Sequence, residues 1–209
     1  RSVCMDFVTL GTLLIRNGQR FICSPAGEDH GERFVAHITH QITGPLELAE
    51  IQALERKIGR HDELFQLFAR YGSIRLFCGT RSSESAFYIA HPNEWEALHA
   101  DFRSWIDDYS DEEKGEMFPG WVDDLMTIGE VPHSGNYFLL AVKGSERGKV
   151  VEFEHAENDF VKAGADFNAF VDSLCTVTDH LLDRIGTHTH YSDGTTDIQW
   201  IPERYEYDR

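Results

Sequence analysis

The sequence contains no segment typical of a membrane helix or of a cleaved signal peptide. No apolar run approaches the roughly 20 residues that are needed to cross a bilayer. The longest apolar segment near the N-terminus, residues 7–15, includes Thr9, Gly11 and Thr12 and is not followed by a small-residue cleavage pattern. We interpret this segment as a strand and expect a cytoplasmic protein that does not bind a membrane.

Cysteine is scarce, and Cys4, Cys23, Cys78 and Cys175 form no CxxC pair. A chain of 209 residues can bury enough apolar surface to fold without covalent cross-links. Two disulfides in a secreted protein are an alternative. We favour buried or free thiols in a reducing compartment.

Positive charge is also scarce. The chain has 19 Lys and Arg residues against 36 Asp and Glu residues, which gives a formal net charge of -17 at pH 7. An acidic surface disfavours nucleic acid and anionic membranes, and it accelerates the encounter with basic proteins. Simple solubility explains the charge equally well.

Signatures of catalysis are missing. No serine, cysteine or lysine lies in a nucleophile elbow or a redox motif, and there is no glycine-rich phosphate loop. Residues 144–148 read as a hairpin turn in which Glu146 would repel a phosphate. The sequence therefore predicts a protein that is not an enzyme and needs no cofactor.

The eleven histidines raise the question of a metal site. His37 and His40 are three residues apart, and His188 and His190 lie close to Asp193. Two imidazoles and a carboxylate can ligate zinc, but there is no HExxH motif, and polar histidines on strand edges would show the same spacing. A metal-dependent hydrolase is the least favoured function, and we predict no bound metal.

His155 permits two interpretations. It lies between Glu154 and Ala156, where neighbouring carboxylates can poise a general base. The sequence indicates no nucleophile or water activator to accompany it. We favour packing and hydrogen bonding at the edge of a sheet.

The hydrophobic pattern predicts an α+β protein. Helices are expected from Pro45 to Gly59, after an Asp62 cap to Gly72, from residue 91 to 106, and as one long C-terminal helix from Asp166 to Gly186. Strands are expected at 34–42, 74–78, 86–90, 137–142 and 150–155, the last two paired antiparallel. Turn residues predict terminal hairpins at Asn17-Gly18 and at 192–194.

Several short motifs occur in an order that resembles the SUKH superfamily. In chain order they are Ile51, Glu55, Ile58-Gly59, Tyr71-Gly72, Leu76-Phe77, Trp121, Ile128-Gly129, Gly135-Asn136-Tyr137, Gly148-Lys149-Val150, Glu154-His155 and the segment 166–170. The resemblance implies a mostly antiparallel central sheet with two N-terminal helices and a long C-terminal helix. We predict a single domain with a strand-rich extension at 1–45, a SUKH-like core at 46–185 and a C-terminal hairpin or tail at 186–209.

The same resemblance implies binding rather than catalysis. The superfamily includes bacterial immunity proteins, so the expected function is stoichiometric occlusion of a cognate toxin, with a basic nuclease favoured by the charge. The alternative is a regulatory scaffold of the cell-wall-regulator branch, which has no toxin partner. The oligomeric state is left open.

An acidic, aromatic segment is the predicted contact surface. Carboxylates steer basic partners, and aromatic side chains serve as binding anchors. A solvated loop is the alternative interpretation. Trp105 and Trp121 lie in the same region, and some of its aromatic residues must belong to the core. The predicted contact residues are Asp107, Asp108, Tyr109, Asp111, Glu112, Glu113, Glu116, Phe118, Asp123 and Asp124.

Overall fold

A single antiparallel sheet organises the protein. The computed structural model describes residues 7–27 and 31–209, and Cys4 lies outside them. Strands in this part of the chain are β1 (Arg20–Pro25), β2 (Phe34–Ile42), β3 (Ile74–Gly79), β4 (Phe87–Ile89), β5 (Leu125–Val131), β6 (Asn136–Ala141), β7 (Val150–Glu154), β8 (Asp159–Gly164) and β9 (Trp200–Glu206). Their order across the sheet is β8-β7-β6-β5-β4-β3-β2-β1-β9, with every pairing antiparallel. The α+β class is therefore confirmed.

Helices cover both faces of this sheet. Within the described residues they are α1 (Val8–Ile15), α2 (Leu48–Ile58), α3 (Asp62–Phe68), α4 (Trp95–Ile106), α5 (Asp111–Met117), α6 (Phe167–Cys175) and α7 (Asp179–His188). None of the helices in the described ranges has the length and apolar character that a bilayer crossing requires.

Strand β6 shows how the two cores are separated. All six of its residues are buried, and successive side chains of a strand point to opposite faces. Phe138 belongs to the larger core, where its ring lies 5.0 Å from that of Phe170 in α6. Leu139 belongs to a smaller core that includes Phe102 and Ile106 of α4. The sheet is thus the middle of three layers, and α4 packs on the face opposite α6.

The N-terminal segment is helical, so the strand predicted at 7–15 is wrong. Phe7, Leu10 and Leu13 are buried at a spacing of three residues, whereas Val8 and Ile15 are 66% and 78% exposed. This is the periodicity of a helix that rests one face on the core.

The Asn17-Gly18 turn does not join two strands. It connects α1 to β1, and Gly18 adopts a φ of +56° with the Asp208 carboxylate where a Cβ would lie. The strand pair in this region is instead β1 with β2, in a register that places Phe21 opposite Ala36. The prediction of a hairpin with its turn at Asn17-Gly18 is therefore wrong. The residues before Asn17 form a helix that buries one apolar stripe, so they are not a strand.

The prediction of one long C-terminal helix is also wrong, because the structure has two helices there. Helix α6 ends at Cys175 and α7 begins at Asp179, where the Thr178 hydroxyl accepts a hydrogen bond from Leu181 N at 3.2 Å. Threonine is a strong N-cap and a weak helix former, which favours a break at this position. Gly186 does not end α7 but lies inside it.

Two further features depart from the predicted pattern. Between the predicted strand at 150–155 and the predicted helix from Asp166, the chain forms the edge strand β8, which was not predicted and which pairs with β7. At the C-terminus, Tyr191 and Trp200 form one isolated antiparallel bridge, and β9 then pairs with β1 rather than with a hairpin partner. The terminal segments therefore extend the sheet together.

Helix starts and the cysteines agree more closely with expectation. Helix α2 begins after Glu47, which forms a capping box with Glu50. The predicted Asp62 cap is wrong by one residue, because His61 occupies the cap position and Asp62 is the first residue of α3, and α3 ends at Phe68 rather than at Gly72. Cys23, Cys78 and Cys175 are buried and free.

Candidate functional site

The predicted acidic segment forms a short, capped helix. Ser110 Oγ accepts a hydrogen bond from Glu113 N at 3.3 Å, and Ser110 N donates to Glu113 Oε2 at 2.9 Å. This reciprocal pair is a capping box. Asp111 and Glu112 join Glu113 in the first turn, where negative charge complements the helix dipole. The segment therefore has one defined conformation, and Glu113 serves in part to hold it.

Three of the predicted acids are held in ion pairs. Asp107 lies 2.7 Å from the Arg103 guanidinium and 3.1 Å from Lys114 Nζ, and Asp123 lies 2.6 Å from Arg103. The hydrogen bond from Arg103 is the main reason that the pKa of Asp107 is lowered. Asp124 pairs with Lys143 at 3.6 Å. Exposed pairs add little stability, but these link α4, α5 and the turn that follows them.

Five predicted acids are left, of which Glu113 is engaged in the capping box. The other four carry unpaired negative charge. They are exposed, and within the described residues none of them forms an ion pair. They are Asp108, Asp111, Glu112 and Glu116. Their carboxylates are the part of the predicted surface that is free to meet a basic partner.

The predicted aromatic residues support this surface from below. Phe118 is only 6% exposed and packs in the smaller core, with its ring 5.6 Å from that of Tyr109. Tyr109 is half-buried, and its hydroxyl accepts a hydrogen bond from Asn158 Nδ2 at 3.2 Å. Trp121 is half-buried beside Phe160. These rings position the acids and offer a partner little area of their own.

A shallow groove lies beside the acids. Its volume is about 370 Å³, and its walls come from the end of α4, from α5 and from the turn at 119–123. Ile106 and Phe118 supply apolar lining, and Asp111 and Asp123 supply carboxylates. The surface therefore combines charge with a concave apolar element.

Met117 and Trp105 are the exposed apolar residues of this region. Met117 ends α5 and is 46% exposed, and Trp105 in α4 is 41% exposed. Met117 was not predicted. The sequence did contain a signal for it. Ser110 and Glu113 have the spacing of a capping box, and a helix that starts there and runs through the acids would include Met117.

The histidines are dispersed. His37 is exposed on β2, and His40 is partly buried. His188 and His190 line a polar cleft of about 550 Å³, but the Asp193 carboxylate accepts hydrogen bonds from the backbone of Thr195 and Thr196. In the parts of the chain that the structure describes, no three His, Cys, Asp or Glu side chains are grouped so that they could hold a metal ion.

His155 packs against a neighbouring ring, as we expected, but it lies in the turn between β7 and the edge strand β8. Its imidazole lies 4.1 Å from the Trp105 ring, and its backbone N donates to Asn136 Oδ1 at 3.2 Å. The Asn136 amide in turn donates to the buried carboxylate of Glu152, which pairs with Arg184. A buried polar network therefore fixes the position of His155.

Comparison with known proteins identifies the family. No curated protein matches the chain. The model of the SMI1 / KNR4 family (SUKH-1) matches residues 45–173, which is well over half of the sequence and spans α2 to most of α6. Proteins of this kind are generally non-catalytic immunity or regulatory domains. The chain therefore belongs to the SMI1 / KNR4 family (SUKH-1).

Proposed function

We propose that this protein is a cytoplasmic immunity protein that binds a basic toxin, favoured to be a nuclease, and blocks it without chemical change. Membership of the family supports a binding function. The observation that carries the proposal is the set of exposed, unpaired carboxylates on and next to α5. A net charge of -17 adds long-range attraction for a basic protein.

The mechanism follows from the rigidity of this surface. The capping box holds α5, and the Asp107 carboxylate links Lys114 of α5 to Arg103 of α4. The unpaired acids are thus presented in one arrangement before the partner arrives. Such preorganisation reduces the entropy lost on binding, and complementary charge raises the association rate to about 10⁸ M⁻¹s⁻¹ at low salt.

The decisive experiment neutralises the unpaired acids together. The variant carries Asp108→Asn, Asp111→Asn, Glu112→Gln and Glu116→Gln, and the probe is the toxin domain encoded beside this gene. We expect the association rate to fall by about tenfold or more and to lose most of its salt dependence, because steering charge is removed. Stopped-flow or biosensor kinetics at two salt concentrations measure both.

A charge-matched control separates location from net charge. Glu55, Asp179, Asp183 and Asp197 are exposed acids on other parts of the surface. Changing these four to amides removes the same total charge and should leave the rate within about threefold. Equal losses in both variants, or equal binding of the wild type to unrelated basic proteins, would contradict the proposal.

A regulatory scaffold is the second candidate, because regulator-like domains belong to the same superfamily. Such a protein binds several partners weakly, and deletion of its gene leaves cells no more sensitive to a toxin. Competition between deletion and parent strains in the presence of toxin-producing neighbours distinguishes the two functions.

A further inference from the structure

Trp105 is a large aromatic side chain that the fold leaves accessible. It lies in the last turn of α4 and is 41% exposed, although Phe102 and Ile106 of the same helix are buried. The other face of α4 packs on β5 and its neighbours. Trp105 therefore marks a face of α4 that its packing against the sheet does not bury.

The Trp105 ring rests on a rigid support. The His155 imidazole lies behind it, with the two rings tilted by 57°. Gly135 makes room for this imidazole, because a Cβ on Gly135 would lie 3.1 Å from His155 Cγ. The backbone of His155 is held by buried Asn136. A ring that is already held in place loses little entropy when a partner covers it.

Negative charge flanks Trp105 on both sides. Asp101 lies one helical turn earlier on the same face of α4, and Asp108 follows three residues later. Both are exposed, and neither forms an ion pair in the described part of the chain. Burial is the main cause of the raised pKa of Tyr137; a hydrogen bond with the Trp105 side chain opposes that shift, and the Asp101 carboxylate adds to it.

We propose that Trp105 anchors the docking of a basic protein, with an arginine or lysine of the partner stacked on the indole between Asp101 and Asp108. A cation over a tryptophan face gains from the ring quadrupole, and flanking carboxylates add charge-assisted hydrogen bonds. A second copy of this chain would bring like charge to the same place, and nucleic acid or an anionic membrane would be repelled. The inference rests on the proposed function and extends the contact surface from α5, through Asp108, to α4.

The test compares substitutions at Trp105 with a control of equal exposure, using the toxin domain encoded beside this gene as the probe. Trp105→Ala should raise the dissociation constant by about 30-fold or more, as truncation of an aromatic hot spot does. Trp105→Phe keeps an aromatic face and should lose much less affinity for the toxin domain. Val35→Ala, on β2 and also 41% exposed, should bind within about twofold of the wild type. An unchanged midpoint of urea unfolding shows that each variant is folded.

Fluorescence gives a second readout, because Trp105 is the most exposed tryptophan. Trp95 and Trp200 are 1% and 4% exposed, and Trp121 is half-buried. Binding of the toxin domain should therefore reduce acrylamide quenching of the wild type and should have little effect on quenching of Trp105→Phe.

The outcomes separate this inference from the proposed function. If the toxin domain binds and the α5 amide variant is impaired while Trp105→Ala binds like the wild type, the inference is wrong and the proposed function stands. If the wild-type protein forms no complex with the toxin domain, the proposed function is overturned and this inference with it.

Discussion

His40 joins the N-terminal extension to the sheet through both nitrogens of its ring. Nδ1 accepts a hydrogen bond from Phe77 N at 3.1 Å, so Nε2 carries the proton and donates to Gln19 Oε1 at 2.7 Å. Gln19 Nε2 donates to Leu13 O in α1, and Phe77 O accepts from the buried Tyr191 hydroxyl. Phe77 adopts a φ of +55°. One neutral imidazole thus supports a backbone conformation that is strained for a large side chain.

This geometry predicts how stability depends on pH. Burial lowers the pKa of His40 from 6.5 to about 4, so the unfolded chain binds a proton before the folded protein does. Stability is therefore fully present above about pH 6.5 and is lost as pH falls toward 4, by up to about 3 kcal/mol from this residue. Urea unfolding at pH 7.5, 6 and 5 measures the loss.

A variant at the same position isolates this contribution. His40→Gln retains a donor and an acceptor but does not titrate, so its stability should change less over this pH range. His61, His99 and His188 also have lowered pKa values, mainly through burial. Their contribution to the pH dependence of stability is the same in the wild type and in His40→Gln. Parallel pH profiles for the two proteins would exclude the role assigned to His40.

At the scale of elements, the start of helix α5 is set by the Ser110 hydroxyl. The Ser110 cap satisfies the Glu113 N–H and sets where the helix starts. Removing an N-cap serine costs about 1 kcal/mol of helix stability. Because α5 has only seven residues and none of them is buried, this loss should act locally.

We therefore expect Ser110→Ala to fray α5 without unfolding the protein. Amide hydrogen exchange should accelerate by about fivefold within residues 111–117 and should be unchanged in β6. Ser104→Ala is the matched control, because Ser104 is an exposed serine in the neighbouring helix whose hydroxyl donates only to Asp101 O. Equal exchange in α5 for the two variants would contradict the importance of the cap.

The elements also show which local signals sufficed. Helix α4 and the β6–β7 hairpin follow from apolar periodicity and a glycine-rich turn, and both occur where we predicted them. The strand prediction for residues 7–15 was wrong because Thr9, Gly11 and Thr12 are weak helix formers. In the folded protein, burial of Leu10 and Leu13 overrides this low helix propensity. The break near Thr178 was missed because the apolar stripe continues in phase on both sides of it.

At the scale of the whole molecule, the termini complete a sheet whose centre belongs to the family-matched region. Strand β2 pairs with β3, and β9 covers the outer edge of β1. Phe21 of β1 stacks 5.7 Å from Phe77 of β3 and packs against Tyr191. The terminal segments and the matched region therefore share one hydrophobic core. That the chain is a single domain stays a prediction.

The shared core predicts that a fragment limited to residues 45–173 does not fold cooperatively. It would lose the β2 partner of β3, the Phe21 and Tyr205 neighbours of Phe77 and the apolar face of α7, each of which buries large side chains. We expect a broad, non-cooperative urea transition and weak near-UV circular dichroism, in contrast to the full chain. A sharp transition within about 1 kcal/mol of the full-length stability would show that the extensions are accessory domains.

The sequence by itself determined the class of fold, the family and the acidic character of the surface, because periodicity, motif order and net charge are properties of neighbouring residues or of their sum. The pair of Asp107 with Arg103 is local, at i and i+4, but only the tertiary structure decided that Asp123 also meets Arg103, because the turn after α5 packs against α4. It likewise decided that Phe118 is covered and Trp105 accessible. Burial depends on contacts between residues distant in the chain, and no local pattern contains that information.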